Sequence, residues 1–180
     1  MMVRAIRNGD LASLQSLYDT GSLQLTAEHW ITAVECGDLH ILQWLKEKEG
    51  RWPNYLCAHA AREGHMETLK WLRKKGCPWD AFACAYAAEG GHLHILQWLR
   101  EMGCPWNEST CLWAAADGHT NIFAWALEHG CPCNRTIIYS LRHYVSITRL
   151  IASLDKYKYL TITYNVEEWV IEVDHICALL

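Results

Sequence analysis

The sequence predicts an all-α solenoid of stacked helix pairs, and three observations carry that expectation. Residue types recur every 27 positions: Trp44, Trp71, Trp98 and Trp125 form one series, and Trp52, Trp79 and Trp106 another. Cys57, Cys84 and Cys111 keep the interval, as do Cys77, Cys104 and Cys131, and Gly37, Gly64, Gly91 and Gly118. Within each interval, apolar residues three and four apart alternate with Gly and Pro, which is the punctuation of two short helices. One such pair cannot bury its apolar side alone, so neighbours must stack. The composition agrees, because 51% hydrophobic residues in a chain of 180 exclude general disorder.

The units follow in order. The first is offset by 28, with Gly9 under Gly37, Leu14 under Leu42 and Leu17 under Leu45. The second places Trp30 in the slot that Cys57, Cys84 and Cys111 occupy later. In the fourth, Phe82 to Glu89 reads as a helix, Gly90 and Gly91 break it, and Leu93 to Met102 resumes. Leu93, Ile95, Leu96, Trp98 and Leu99 make the buried stripe of that second helix. Gly103 supplies a left-handed stop and Pro105 follows it, as Gly76 with Pro78 and Gly130 with Pro132 do elsewhere. Five units thus fill residues 1–135. After Pro132 the chain has no Gly or Pro and holds five of its eight Tyr. Residues 136–154 read as a degenerate sixth pair that caps the stack. Residues 155–180 form an extension in which Tyr157, Tyr159, Ile162 and Tyr164 indicate a strand, while Val166 to Ile176 fits helix or strand.

The run Ala87-Ala88-Glu89-Gly90-Gly91-His92-Leu93-His94-Ile95-Leu96-Gln97-Trp98-Leu99, with Gly103-Cys104-Pro105-Trp106-Asn107 after it, resembles the ankyrin repeat pattern. Ala60-Ala61-Arg62-Glu63-Gly64-His65 and Ala114-Ala115-Ala116-Asp117-Gly118-His119 match it too. The Gly-Cys-Pro-Trp element resembles a divergent subtype of large DNA viruses and protists. The family unit is about 33 residues. This one is shorter, and the missing residues fall between Gly103 and Ser109, in the β-hairpin finger. The Thr-Pro-Leu-His element is replaced by Tyr55-Leu56-Cys57-Ala58, Phe82-Ala83-Cys84-Ala85 and Ser109-Thr110-Cys111-Leu112, which removes that element's His hydrogen bonds. The resemblance implies a non-enzymatic protein-binding module that serves as an adaptor or scaffold. It further implies that the slots before each Gly-His face the concave side. Those slots hold Glu35 and Cys36, Arg62 and Glu63, Glu89 and Gly90, and Ala116 and Asp117. Their acidic balance calls for a partner with a basic or mixed surface.

The tryptophans of the second helices are expected in the core, each touching its equivalents in the neighbouring units. The loop tryptophans Trp52, Trp79 and Trp106 have two readings, as filler for the lost finger or as hot spots presented to a partner. His65, His92 and His119 are expected to hydrogen-bond the adjacent loop. Cys131 and Cys133 with His129 and His143, or Cys57 with His59, offer zinc-type donors. The exchange of Cys for Trp30 at one slot marks packing instead, and no C-x-x-C pair is present, so no metal and no cofactor is expected. No catalytic motif appears at the required spacing, and no enzyme activity is expected. The net charge of −4 gives no general attraction to nucleic acid. The basic cluster Lys70, Arg73, Lys74 and Lys75 ends a helix, where it complements the dipole. No secretory h-region or apolar span is present, so the chain is expected to be cytoplasmic, in a host cell if viral, and monomeric, with its thiols reduced. Cys177-Ala178-Leu179-Leu180 fits a prenylation box, although Glu167, Glu168, Glu172 and Asp174 precede it without a base. A membrane scaffold lipidated at Cys177 is therefore the alternative. No F-box is expected, because the repeats begin near Met1.

Overall fold

The computed structural model of the chain describes residues 2–133, 161–162 and 171–172. Ten helices form five antiparallel pairs: α1 (Met2–Arg7) with α2 (Leu11–Asp19), α3 (Ala27–Glu35) with α4 (Leu39–Glu49), α5 (Leu56–Arg62) with α6 (Met66–Lys74), α7 (Ala81–Glu89) with α8 (Leu93–Glu101), and α9 (Glu108–Ala116) with α10 (Thr120–Glu128). The first helices pack in series, α1 on α3, α3 on α5, α5 on α7 and α7 on α9. Their composition explains the close approach. Ala58, Ala60 and Ala61, then Ala83, Ala85, Ala87 and Ala88, then Ala114 and Ala115, are all buried and put little between the backbones. The second helices contribute the larger core residues, among them Ile41, Leu42, Leu69, Leu72, Ile95, Leu96, Leu99, Ile122 and Phe123.

Both helices of the fourth pair end in the same device. Gly91 has φ +78°, its N–H bonds the Ala88 carbonyl, and the next N–H, of His92, bonds the Ala87 carbonyl at 2.9 Å. At the end of α8, Gly103 repeats the turn and the Cys104 N–H bonds the Leu99 carbonyl at 2.9 Å. These are Schellman closures, in which the residue after the glycine turns inward. The recurrence of Gly-His and Gly-Cys is therefore one backbone motif with two occupants. Cys77, Cys104 and Cys131 are fully buried there. Among the described residues the inter-unit loops form no strand, and the shortened finger is a plain loop. The described strands are the two-residue β1 (Thr161–Ile162) and β2 (Ile171–Glu172), paired antiparallel.

One expectation is corrected. The second-helix tryptophans do not touch one another; Trp44 meets Tyr18 at 5.6 Å, and Trp71, Trp98 and Trp125 each meet the loop tryptophan of the preceding boundary, edge to face. Trp52–Trp71, Trp79–Trp98 and Trp106–Trp125 all have ring centroids 6.0 Å apart. The loop shortened by the missing finger lays its indole into the joint between units, against the helix-borne ring of the next unit. The proposed cap at 136–154, His143 and Cys177 lie outside the described residues.

Candidate interaction face on the first helices

The first helices present a repeated pattern at positions i, i+4 and i+7, which share one helix face. On α5 and its N-cap these are Tyr55, His59 and Arg62; on α7, Phe82, Tyr86 and Glu89; on α9, Ser109, Trp113 and Ala116. Stacking turns them into rows. Tyr55 and Phe82 meet edge to face at 5.6 Å, and His59 and Tyr86 at 5.7 Å. Tyr86 and Trp113 lie at 5.1 Å with planes tilted by 34°, and Phe82 reaches Trp113 at 6.2 Å. Tyr55 is 50% exposed and Phe82 40%. An aromatic patch thus runs unbroken across three units, and the charged row borders it. Tyr55 is also the only non-glycine residue at positive φ among the described residues, at φ 66°. Backbone in that region is held at a cost of order 1–3 kcal/mol.

The charged row is set by the histidines between the helices of each pair. In the first two units the corresponding slot holds Asp10 and Asp38, whose carboxylates cap the second helix by accepting from Ser13 N at 3.0 Å and from His40 N and Ile41 N at 2.9 and 3.1 Å. In the later units His65, His92 and His119 make no such cap. Their rings reach back a unit instead. His65 Nε2–H donates to the Glu35 carbonyl at 2.8 Å and His119 Nε2–H to the Glu89 carbonyl at 2.9 Å. The His92 ring lies toward the Arg62 carbonyl in the equivalent position. A carbonyl only accepts, so the bond fixes the protonated nitrogen. Each carbonyl belongs to the last turn of a helix, where no intrahelical donor is available. The histidine bond with the adjacent loop, expected from the sequence, is thus a clasp between units. It anchors the backbone from which Glu35, Arg62 and Glu89 project.

Electrostatics on this face are mixed. Arg62 Nε donates to Glu63 Oε1 at 3.1 Å, and its guanidinium lies 5.9 Å from the Tyr86 ring centre. His59 Nδ1 stands 3.4 Å from Glu35 Oε1, off the hydrogen-bond direction, and is left without a partner. Burial lowers the His59 pKa while Glu35 pulls it the other way. Burial lowers that of His92 as well, against the Arg62 carbonyl. Glu63 and Asp117 are exposed, and Glu35 and Glu89 are half-buried. Among the described residues Glu89 and Asp117 have no ion-pair partner. The face offers aromatic area, a free edge of carboxylate and one guanidinium already in use.

The loop tryptophans sit elsewhere, at the joints. Lys46 lies 3.9 Å over Trp52, Arg73 3.9 Å over Trp79 and Arg100 4.2 Å over Trp106. Each cation also donates to a loop carbonyl: Lys46 to Gly50, Arg73 to Cys77 and Arg100 to Cys104. With the next tryptophan on its other side, each indole is half-buried in a sandwich. An open cleft of about 500 Å³ borders the last of them, lined by Gln97, Arg100, Glu101, Trp106, Trp125 and His129. The basic residues at the ends of α4, α6 and α8 thus have a local partner that sequence spacing did not reveal.

The cysteines of the first helices pack as the period implied. Cys57, Cys84 and Cys111 are at most 1% exposed. Contact with the Cys77 and Cys104 thiols, together with burial, pushes the thiols of Cys57 and Cys84 well up, and Cys131 and Cys133 do the same for Cys111. Cys104 and Cys131 thiols donate to the Asp80 and Asn107 carbonyls, both at 3.4 Å. Among the described residues no group of three or more metal donors converges. No described helix is long and apolar enough to cross a membrane.

Serial stacking of helix pairs, Schellman closures and clasps between units define a helical-repeat solenoid. Comparison with protein families gives the kind it is similar to: the family model described as ankyrin repeats (3 copies) matches residues 56–137. The two helix pairs before it follow the same plan. No curated protein matches the chain. Ankyrin repeats form a protein–protein interaction module.

Proposed function

We propose that the chain is a non-enzymatic adaptor or scaffold that holds a protein partner on the face of its first helices. The single observation that carries this is the exposed aromatic patch spanning α5, α7 and α9, bordered by charge. Contiguous exposed aromatic surface with a polar border is the usual mark of an interaction site, and Trp, Tyr and Arg are the residues that most often dominate binding. The strained backbone at Tyr55 supports the reading, since it holds a large exposed ring at the edge of the patch. Glu35, Arg62, Glu63, Glu89 and Asp117 supply the charged half of the contact. Trp52 and Trp79 each stand three residues before the first-row aromatics Tyr55 and Phe82, and Trp106 three before Ser109. Their half-exposed edges at the joints offer a separate, secondary contact.

The test compares the full chain with Phe82→Ser, Trp113→Ala and the distant Lys74→Ala as baits, with helicity checked by circular dichroism. Proteins retained by wild type and Lys74→Ala and lost from the two aromatic variants are expected. A captured set indifferent to both aromatic changes would sink the assignment.

A further inference from the structure

We propose that the first-helix face reads an arginine in an extended segment of its partner, with the guanidinium lying on the aromatic rows and pairing with the carboxylates of Glu89 and Asp117. This rests on the docking reading above and adds the chemistry of the occupant. Three features lead to it. The face sets four carboxylates, Glu35, Glu63, Glu89 and Asp117, against one guanidinium, and that of Arg62 is already bonded to Glu63. The aromatic rows lie against this charged edge, so a bound cation meets a π face and a carboxylate together. The chain also carries the arrangement once already, with Arg62 over Tyr86 and on Glu63. One unit on, Trp113 takes the place of Tyr86, but the half-buried Glu89 stands where Arg62 did and Gly90 where Glu63 did, so the slot brings no cation; the nearest further carboxylate on that helix is Asp117, four residues after Trp113. A partner supplies it.

Arginine fits better than lysine for a geometric reason. A planar guanidinium stacks on a ring and presents a fork to a carboxylate at the same time, whereas an ammonium is a hydrated point charge. Packed helices stand about 8–10 Å apart and an extended chain rises about 3.3 Å per residue. A segment crossing the stack therefore advances one unit about every three residues. The expected ligand places an apolar residue over Tyr55 and Phe82, and its arginine about three residues away, over Trp113.

The test uses the full chain and a displayed random peptide library. Enriched sequences are resynthesised with a fluorescent label, and each is compared with its Arg→Lys and Arg→Gln forms by anisotropy. Peptides with a recurrent arginine are expected, weakened about tenfold by Arg→Lys in the peptide and by Glu89→Gln or Trp113→Ala in the protein. Glu89→Gln keeps the carbonyl that His119 clasps, so a loss there does not report misfolding. Peptides without arginine that still need Phe82 and Trp113 would overturn this inference and leave the docking reading standing. Arginine peptides indifferent to all three protein positions would overturn both. No enrichment at all also counts against the inference.

Discussion

Gly91 holds a backbone at φ +78°, and a Cβ built there would meet the His119 ring at 2.7 Å. That ring cannot swing away freely, because its Nε2 is bound to the Glu89 carbonyl. Gly64 stands in the same relation to His92, also at 2.7 Å. The glycine and the next unit's histidine are thus one joint, needed both for its turn and for its lack of a side chain. Gly91→Ala is expected to cost about 2–4 kcal/mol, from the left-handed backbone and the displaced ring together. In a His119→Ala background the same change should cost about 1 kcal/mol less, because the contact is gone and the backbone penalty remains. Urea unfolding of the four proteins of this cycle measures both. Strict additivity would show that the ring yields without loss.

At the scale of elements, the joint between successive pairs depends on a cation, a loop indole and a helix indole in line. Trp79 bridges Arg73 and Trp98, so Trp79→Ala removes one cation contact and one edge-to-face contact in a single step. A loss of about 2–3 kcal/mol is expected, below that of a fully buried tryptophan because the ring is half-exposed. Arg73→Lys should cost about 1 kcal/mol, since it keeps charge but gives up the planar stack. Unfolding midpoints read both, and an effect of Arg73→Lys equal to that of Trp79→Ala would contradict the sandwich. The helix pairs themselves were legible in the sequence, because glycine, cysteine and tryptophan repeat by identity at the slots that turn or fill the core. The aromatic rows were not. Thr32, His59, Tyr86 and Trp113 share a slot, as do Glu28, Tyr55, Phe82 and Ser109, but slots that open toward the surface after the second unit are free to change chemistry from unit to unit. Only an i, i+4 reading along the first helices, followed across the period, brings those rings together. The partners of the joint tryptophans were hidden for another reason. The contact pairs residues 19 apart across a boundary, as Trp79 with Trp98, and a search at the repeat length passes over it.

For the molecule as a whole, clasps and joints couple each unit to its neighbours, so a local change in charge is felt through the stack. His59 and His92 both have pKa values lowered by burial. An unfolded histidine takes up its proton near pH 6.5, so on acidification the unfolded chain binds protons that the folded chain resists. Stability is therefore full above about pH 6.5 and declines as the pH falls from there toward the lower folded values. The urea midpoint should be lower at pH 5.5 than at pH 7.5, and His92→Gln together with His59→Gln should flatten that slope. A midpoint that rises on acidification would reverse the assigned sign. The Asp10 cap acts in a separate, more acidic window, because its bonds from Ser13 lower a carboxyl pKa that is ordinarily 3.8.

The paired tryptophans have a use outside stability. Each of three successive joints holds two indoles in the same edge-to-face arrangement at 6.0 Å, close enough for their electronic transitions to couple. Opening a joint separates the two chromophores and leaves the others intact. Trp52 also meets Trp30 at 5.4 Å, so the loop tryptophan is the one to change: replacing it by phenylalanine at two joints would leave the third as a local optical reporter, and the set of three such proteins would show in near-ultraviolet dichroism the order in which the stack comes apart.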